Sequence, residues 1–274
     1  MAAPAGCSKL SEATFVNDFL ARMELSSRTR LAAAKGVSSL ESRRRAAELV
    51  PTAGLPSGFL LFAEVKPVSP AEGTLGKDGF PDLVRAYESG GASAISVLTE
   101  PTEFGGSLQL LEDLAAVTSL PVMRKDFVVD PYQVWEARSH GASGILAIVR
   151  MLEPEVLAEV ARTAREAEMF LLVEAFDRVD INALSALDLS DDHLFVGVNS
   201  RDLNTLEVRP EAHEELASLL PEECVAIAES GIHSPEQVRS LSEIGYRGVL
   251  IGTSLMRSED PAFALAALVS AGSA

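Results

Sequence analysis

A chain of 274 residues with 47% hydrophobic content can bury a substantial core, which excludes a disordered polypeptide. A net charge of −17 and a pI near 4.6 argue against the basic footprint that a nucleic-acid groove or an anionic membrane surface requires, so any anionic ligand has to be held by local positive groups. No stretch approaches the roughly eighteen apolar residues of a membrane span, the start MAAPAGCSKL does not resemble a secretory signal, and Cys7 and Cys224 are too few for a disulfide framework or a cysteine metal site. The expectation is a soluble, cytoplasmic protein.

Residues 1–57 read as helices: TFVNDFLARM, SSRTRLAAAK and SLESRRRAAELV. No long Gly/Ser linker follows them, so they are expected to pack on the remaining domain, 58–274, as an N-terminal extension. The basic run Ser42-Arg43-Arg44-Arg45 reads as a solvated helix face. From residue 59 onward, short apolar runs alternate with amphipathic segments that tend to end at glycine. Eight strands are predicted, at 59–66, 93–100, 120–126, 143–149, 169–176, 193–199, 224–230 and 247–253. Helices between them begin at Asp, Ser or Pro in segments such as PDLVRAYESGG and SPEQVRSLSEIG.

The segments ESGGASAISVL, RSHGASGILAIV and SEIGYRGVLIG share a helix end, a glycine stop, a short turn and a strand. Gly91 to Gly141 is 50 residues and Gly141 to Gly245 is 104, close to one and two steps of a unit holding two βα pairs. Eight near-continuous apolar strands alternating with helices predict a (β/α)8 TIM barrel with an N-terminal helical extension. An open doubly wound sheet is the competing architecture, but no GxGxxG fingerprint follows the first strand.

Strand residues two apart share a face. In FAEVKPVSP, Glu64 and Lys66 therefore point together at the carboxyl end of the first strand, where a barrel opens its mouth, and Pro67 stops the ladder. Lys125 and Phe127 share a face after the third strand, Glu174 ends the fifth, and Asn199 and Arg201 share a face after the sixth. Two of only five lysines in the chain lie at predicted strand ends. Lysines partly buried beside glutamates can have their pKa values pushed apart, as paired acid and base work requires. The small-residue turns carrying Ser230, Gly231, Gly252 and Thr253 follow strands seven and eight, a common place for a phosphate cradle in barrels.

The strings FAEVK-x-x-SP, SVLTE, LPVMRKDFVVDPYQVWEAR, LVEAF, VNSRDLNTLEV, AESGI and IGTSLMR resemble the indole-3-glycerol phosphate synthase family over roughly residues 59–260. The resemblance implies a lyase of tryptophan biosynthesis that takes 1-(2-carboxyphenylamino)-1-deoxyribulose 5-phosphate through ring closure, decarboxylation and dehydration, with no metal or organic cofactor. It implies that Lys125 is the general acid, that Lys66 assists dehydration with Glu64 tuning it, that Glu174 is the general base, and that Asn199 orients the substrate. It implies further that Phe127 packs on the aromatic ring, that Arg201 faces a carboxylate, and that Ser69, Ser230, Gly231, Gly252 and Thr253 bind substrate, the last four around its phosphate. The partner expected is this small sugar phosphate, with no nucleic acid and no membrane, and a monomer is expected.

The first loop departs from the family pattern. A basic residue is replaced by Pro67, a serine by Ala71 and a lysine by Glu72. If Glu72 faced the substrate it would weaken binding of an anion. Two alternatives stand beside the main reading: a paralogue acting on a modified aryl-amino sugar phosphate in a specialised pathway, and a non-catalytic phosphate-binding barrel. An isomerase of similar architecture fits poorly, since it would place a cysteine and an aspartate where Glu64 and Asn199 stand.

Overall fold

Eight short apolar segments become strands because each is buried on both faces, one by the barrel interior and the other by helices. The computed structural model describes residues 19–273 apart from Lys77 and Asn204. The strands are β1 (Leu60–Val65), β2 (Ala94–Leu98), β3 (Val122–Lys125), β4 (Gly144–Ile148), β5 (Phe170–Ala175), β6 (Leu194–Asn199), β7 (Val225–Glu229) and β8 (Gly248–Ile251). Every neighbouring pair is parallel, and β8 pairs with β1 to close the barrel. The expected (β/α)8 architecture is thus present, with each predicted strand trimmed by one or two residues where its ladder ends. Gly91, Gly141 and Gly245, the repeated stops, all hold left-handed φ angles of 91°, 95° and 112° between helix and strand.

The interior of the barrel is filled by alternate residues of the strands. Phe62, Phe170 and Phe195 meet edge to face, with centroids 5.9 and 6.0 Å apart. Leu60, Leu146, Leu172, Ile227 and Leu250 complete this plug, so the barrel is a packed core open only at its rim. Residues of the opposite parity, such as Leu61, Ile95, Ile145, Val173 and Val249, face the helices in the outer core.

The N-terminal segment differs in detail from expectation. The described end of the first predicted segment, from Phe19 to Met23, and SSRTRLAAAK belong to one helix, α1 (Phe19–Val37), because Met23-Glu-Leu-Ser-Ser27 contains neither Gly nor Pro to stop it. The residues before Phe19, Cys7 among them, lie outside the described part. Phe19, Met23, Ser27 and Leu31 form the buried stripe of α1, four residues apart. Helix α2 (Leu40–Ala47) is capped by Ser39, whose hydroxyl accepts from Ser42 N at 3.1 Å. The basic run is largely a solvated face, with Ser42, Arg44 and Arg45 exposed, but it also makes contacts with the barrel. Arg43 donates to Tyr132 Oη at 3.2 Å, and the Arg44 guanidinium lies 4.7 Å over the Trp135 ring, so two of the three arginines dock α2 on the barrel.

Behind β3 lies a dry ionic network. Arg124, 1% exposed, donates to Glu136 at 2.9 Å, to Asp126 at 3.0 Å and to the Gln133 carbonyl at 3.2 Å. Asp126 also accepts both arms of Arg30 from α1 at 2.8 Å and the Thr99 hydroxyl at 2.7 Å. Burial works to raise the Asp126 carboxyl, but Arg124 and Arg30 outweigh it and hold it well below the usual carboxylate range. Removing one partner from such a cluster leaves uncompensated charge, so Arg124→Met is expected to cost about 3–5 kcal/mol. Thermal unfolding checks it: a midpoint equal to that of the parent would show the network to be dispensable.

Candidate active site

The inward parity of each strand continues past the plug into polar residues at the carboxyl rim. Phe62 is followed inward by Glu64 and Lys66, Met123 by Lys125 and Phe127, Leu172 by Glu174, and Ile227 by Glu229. Glu64, Lys66, Lys125, Phe127, Glu174 and Glu229 line one cavity at the mouth of the barrel. The predicted residues Ser69, Asn199, Arg201, Ser230, Gly231, Gly252 and Thr253 line it as well.

The charges converge closely. Lys66 Nζ lies 2.7 Å from Glu64 Oε1. Lys125 Nζ lies 2.9 Å from Glu229 Oε2 and 3.6 Å from Glu174 Oε1. Asn199 donates from Nδ2 to that same Glu174 oxygen and accepts from Arg201 N at 2.9 Å, which fixes its amide orientation. Burial opposes ionisation of Glu64, but Lys66, Lys125 and Arg201 outweigh it and lower its pKa. Burial likewise opposes the charge on Lys125, yet Glu174, Glu229 and Glu64 together raise it, so its ammonium is the stable form. Glu229 goes the other way: burial, with Glu174 and Glu64 nearby, overcomes the attraction of Lys125 and pushes its pKa up to about 7.

One side of the cavity is aromatic. Phe127 is packed against Phe104 with centroids 6.1 Å apart, and Phe19 of α1 meets both edge-on at 5.9 and 6.3 Å. Phe127 is held by its amide, which donates to Asp126 Oδ1 at 2.8 Å, so the network behind β3 also fixes the aromatic residue two places after Lys125. Phe104 is presented by a loop whose amides at Thr102, Glu103 and Phe104 donate to the buried Glu100 carboxylate at 3.0, 2.7 and 3.2 Å. At another side lie the turns after β7 and β8. Ser230 and Gly231 adopt successive left-handed φ angles of 66° and 71°, which turn the backbone sharply at the rim.

Two of these residues have partners within the chain. Arg201 does not hold its whole fork free, because Nη1 donates to the Leu206 carbonyl at 2.9 Å and secures its own loop. Glu72 lines the cavity, yet its carboxylate is paired with Arg257 at 2.7 Å, which meets the charge that was expected to oppose an anion. The loop from Val68 to Thr74 folds into a small antiparallel hairpin with Ser69 opposite Gly73, and the Glu72–Arg257 pair ties its tip to the turn beyond β8.

Glu229, Phe104 and Phe19 are site residues that strand-end reasoning missed. The signal for Glu229 lay in AESGI, where it stands two places after an inward isoleucine and one before Ser230. Phe104 and Phe19 carried none, since loop and helix contacts are set by tertiary packing.

With this geometry the comparison with known proteins has physical content. The family profile of indole-3-glycerol phosphate synthase matches residues 22–268. The chain belongs to the indole-3-glycerol phosphate synthase family. An indole-3-glycerol phosphate synthase from Kineococcus radiotolerans is 41% identical over 273 residues, covering 94% of this chain and 96% of that protein. One from Beutenbergia cavernae is 44% identical over 213 residues, 77% of each chain. Among solved structures, 3-hexulose-6-phosphate synthase from Salmonella typhimurium shares the fold with a TM-score of 0.62 at 12% identity, covering 78% of this chain and 98% of that one. In this member of the indole-3-glycerol phosphate synthase family, the lysines of the EVK and RKDF strings, Lys66 and Lys125, make the contacts just described.

Three outcomes are expected. In kcat/KM, activity rises with pH through about 7 as Glu229 ionises against Lys125, and Glu229→Gln removes that limb. Stability runs oppositely. Between the ordinary carboxylate range and about 7 the folded chain keeps a proton that the unfolded chain has lost, so this group's contribution falls as pH rises across that window. A pH profile unaltered in Glu229→Gln would remove the residue from the ionisation that matters. Separately, Glu72→Lys opposes two cations at the loop tip, and an exposed pair contributes at most about 1 kcal/mol, so KM should rise by up to about fivefold. The exchange Glu72→Lys with Arg257→Glu should restore it; a fall in KM in the single variant would mean that Glu72 acts on the ligand directly.

Proposed function

We propose that this chain converts 1-(2-carboxyphenylamino)-1-deoxyribulose 5-phosphate to indole-3-glycerol phosphate, CO2 and water. The observation that carries the reading is the Lys125 ammonium held between Glu229 and Glu174, in a cavity with phenylalanines on one side and the Ser230–Gly231 and Gly252–Thr253 turns at its rim. The aryl ring would pack on Phe127 and the phosphate would sit at the turns with Ser69. That placement sets the carbonyl carbon beside Lys125.

Lys125 would donate a proton to the carbonyl oxygen as the ring carbon bearing the carboxylate attacks it. The new carbon–carbon bond leaves a hydroxyl, and departure of CO2 returns its electron pair to the ring. Lys66, paired with Glu64, would protonate that hydroxyl so that it leaves as water. Glu174, oriented by Asn199, would take the proton released as the second double bond of the indole forms. Arg201, with one arm on its loop, would keep the other toward the substrate carboxylate. Holding these groups in place before the substrate arrives is what makes the electrostatics effective.

The acidic balance of the chain supports a small-molecule partner over a nucleic acid, and we place the enzyme in the cytoplasm as a monomer. The test is turnover followed by indole fluorescence. The parent chain should form product, and Lys125→Ala should lose about a thousandfold in kcat while keeping the parent's circular dichroism spectrum. No product from the parent would leave a phosphate-binding barrel; near-normal turnover in the variant would take the acid role from Lys125.

A further inference from the structure

Two glycines face the rim carboxylates at distances that no side chain could share. A Cβ built on Gly197 of β6 would lie 2.1 Å from Glu229 Oε1, and one built on Gly252, after β8, would lie 2.3 Å from Glu64 Oε1 and 3.0 Å from its Cδ. Neither glycine has the left-handed φ that would explain its presence by conformation. A glycine inside a strand weakens it, so a close approach is the physical reason that remains at Gly197. Its inward neighbours on β6 are Phe195 and Asn199, and the missing side chain between them opens a void toward β7.

Each void is matched by a lysine. Glu229 is drawn by Lys125 through Oε2 at 2.9 Å, while its Oε1 is buried without a hydrogen-bond partner and occupies the space beside Gly197. Glu64 is drawn by Lys66 at 2.7 Å and backed by Gly252. At Gly197 the atom a new methyl would strike first is the end of the Glu229 side chain, so the fold can accept it by displacing the carboxylate; at Gly252 the methyl would also lie 3.1 Å from the Glu64 Cβ.

We propose that Gly197 and Gly252 are positioning residues, each leaving the void in which one rim carboxylate, Glu229 or Glu64, is held against its lysine. Gly252, expected from sequence as part of a phosphate cradle, thereby gains a second role. A displaced Glu229 would leave the geometry in which Glu174 and Lys125 act as a unit, and misplacement of about 1 Å costs on the order of a hundredfold in rate.

The turnover arm of the test rests on the reaction proposed above; the titration arm does not. Gly197→Ala is expected to lower kcat by about a hundredfold with KM changed less than about threefold. In a Glu229→Ala background the same substitution should change kcat less than about twofold, because the oxygen it displaces is gone. Equal losses in both backgrounds would overturn the proposal. If Gly197→Ala fails to fold, recovery of folding in the double variant supports the void and failure of both refutes it. By 13C NMR of glutamate-labelled protein, the carboxyl titrating near 7, identified by its loss in Glu229→Gln, should move in Gly197→Ala. A titration unmoved by the methyl would overturn the proposal whether or not the chain turns substrate over. Gly252→Ala and Glu64→Ala form the second cycle, read in kcat and KM alone: the loss should be smaller in the Glu64→Ala background, in which the Cβ 3.1 Å away remains but the carboxylate is gone, and equal losses in both backgrounds would overturn the role of Gly252.

Discussion

Three carboxylates and two ammonium groups share a rim that is almost dry, and the rest of the site depends on keeping that sum balanced. A buried charge without a partner costs several kcal/mol, so each ammonium stabilises the ionised form of the carboxylates around it while the carboxylates oppose one another. The balance is uneven by construction. Glu64 has Lys66 at 2.7 Å and further cations nearby, whereas Glu229 shares Lys125 with Glu174. The same residue type is therefore pushed down at one strand end and up at another, which separates a permanent anion from a group able to exchange protons near neutrality.

Rigidity behind the rim makes this balance usable. The backbone following Lys125 is tied through Asp126 to Arg124, Thr99 and α1, and the amide of Asn199 is aligned from both ends. The strands themselves rise from a plug of interlocked phenylalanines that leaves little room for a rim residue to drift. Voids count as much as contacts in such packing. Where Gly197 and Gly252 stand, the absence of a side chain shapes the site as firmly as the presence of a lysine does.

The N-terminal helices and the first loop show how elements outside the barrel repeat enter the mouth. Phe19 of α1 completes an aromatic wall with Phe104 and Phe127. Arg43 of α2 reaches Tyr132 and Glu136 and Arg44 lies over Trp135, while Arg45 pairs with Glu41 on the exposed face of its own helix. In the first loop, the negative charge introduced by Glu72 is met by Arg257, so a departure from the family pattern is absorbed within the chain.

The amino-acid sequence by itself determined the eight strands, their alternation with helices and the polar residues at their ends, because continuous apolar runs, the period-two parity of side chains and glycine stops are local properties. From that parity alone Glu64, Lys66, Lys125, Glu174 and Asn199 were legible as neighbours. Tertiary structure decided what no local pattern carries: that Glu229 takes the nearest contact with Lys125, that Phe19 reaches the mouth, that Arg201 spends one arm on its loop and that Glu72 turns to Arg257. Pairing energies depend on distance and burial between residues far apart in the chain, and only closure of the barrel sets those quantities.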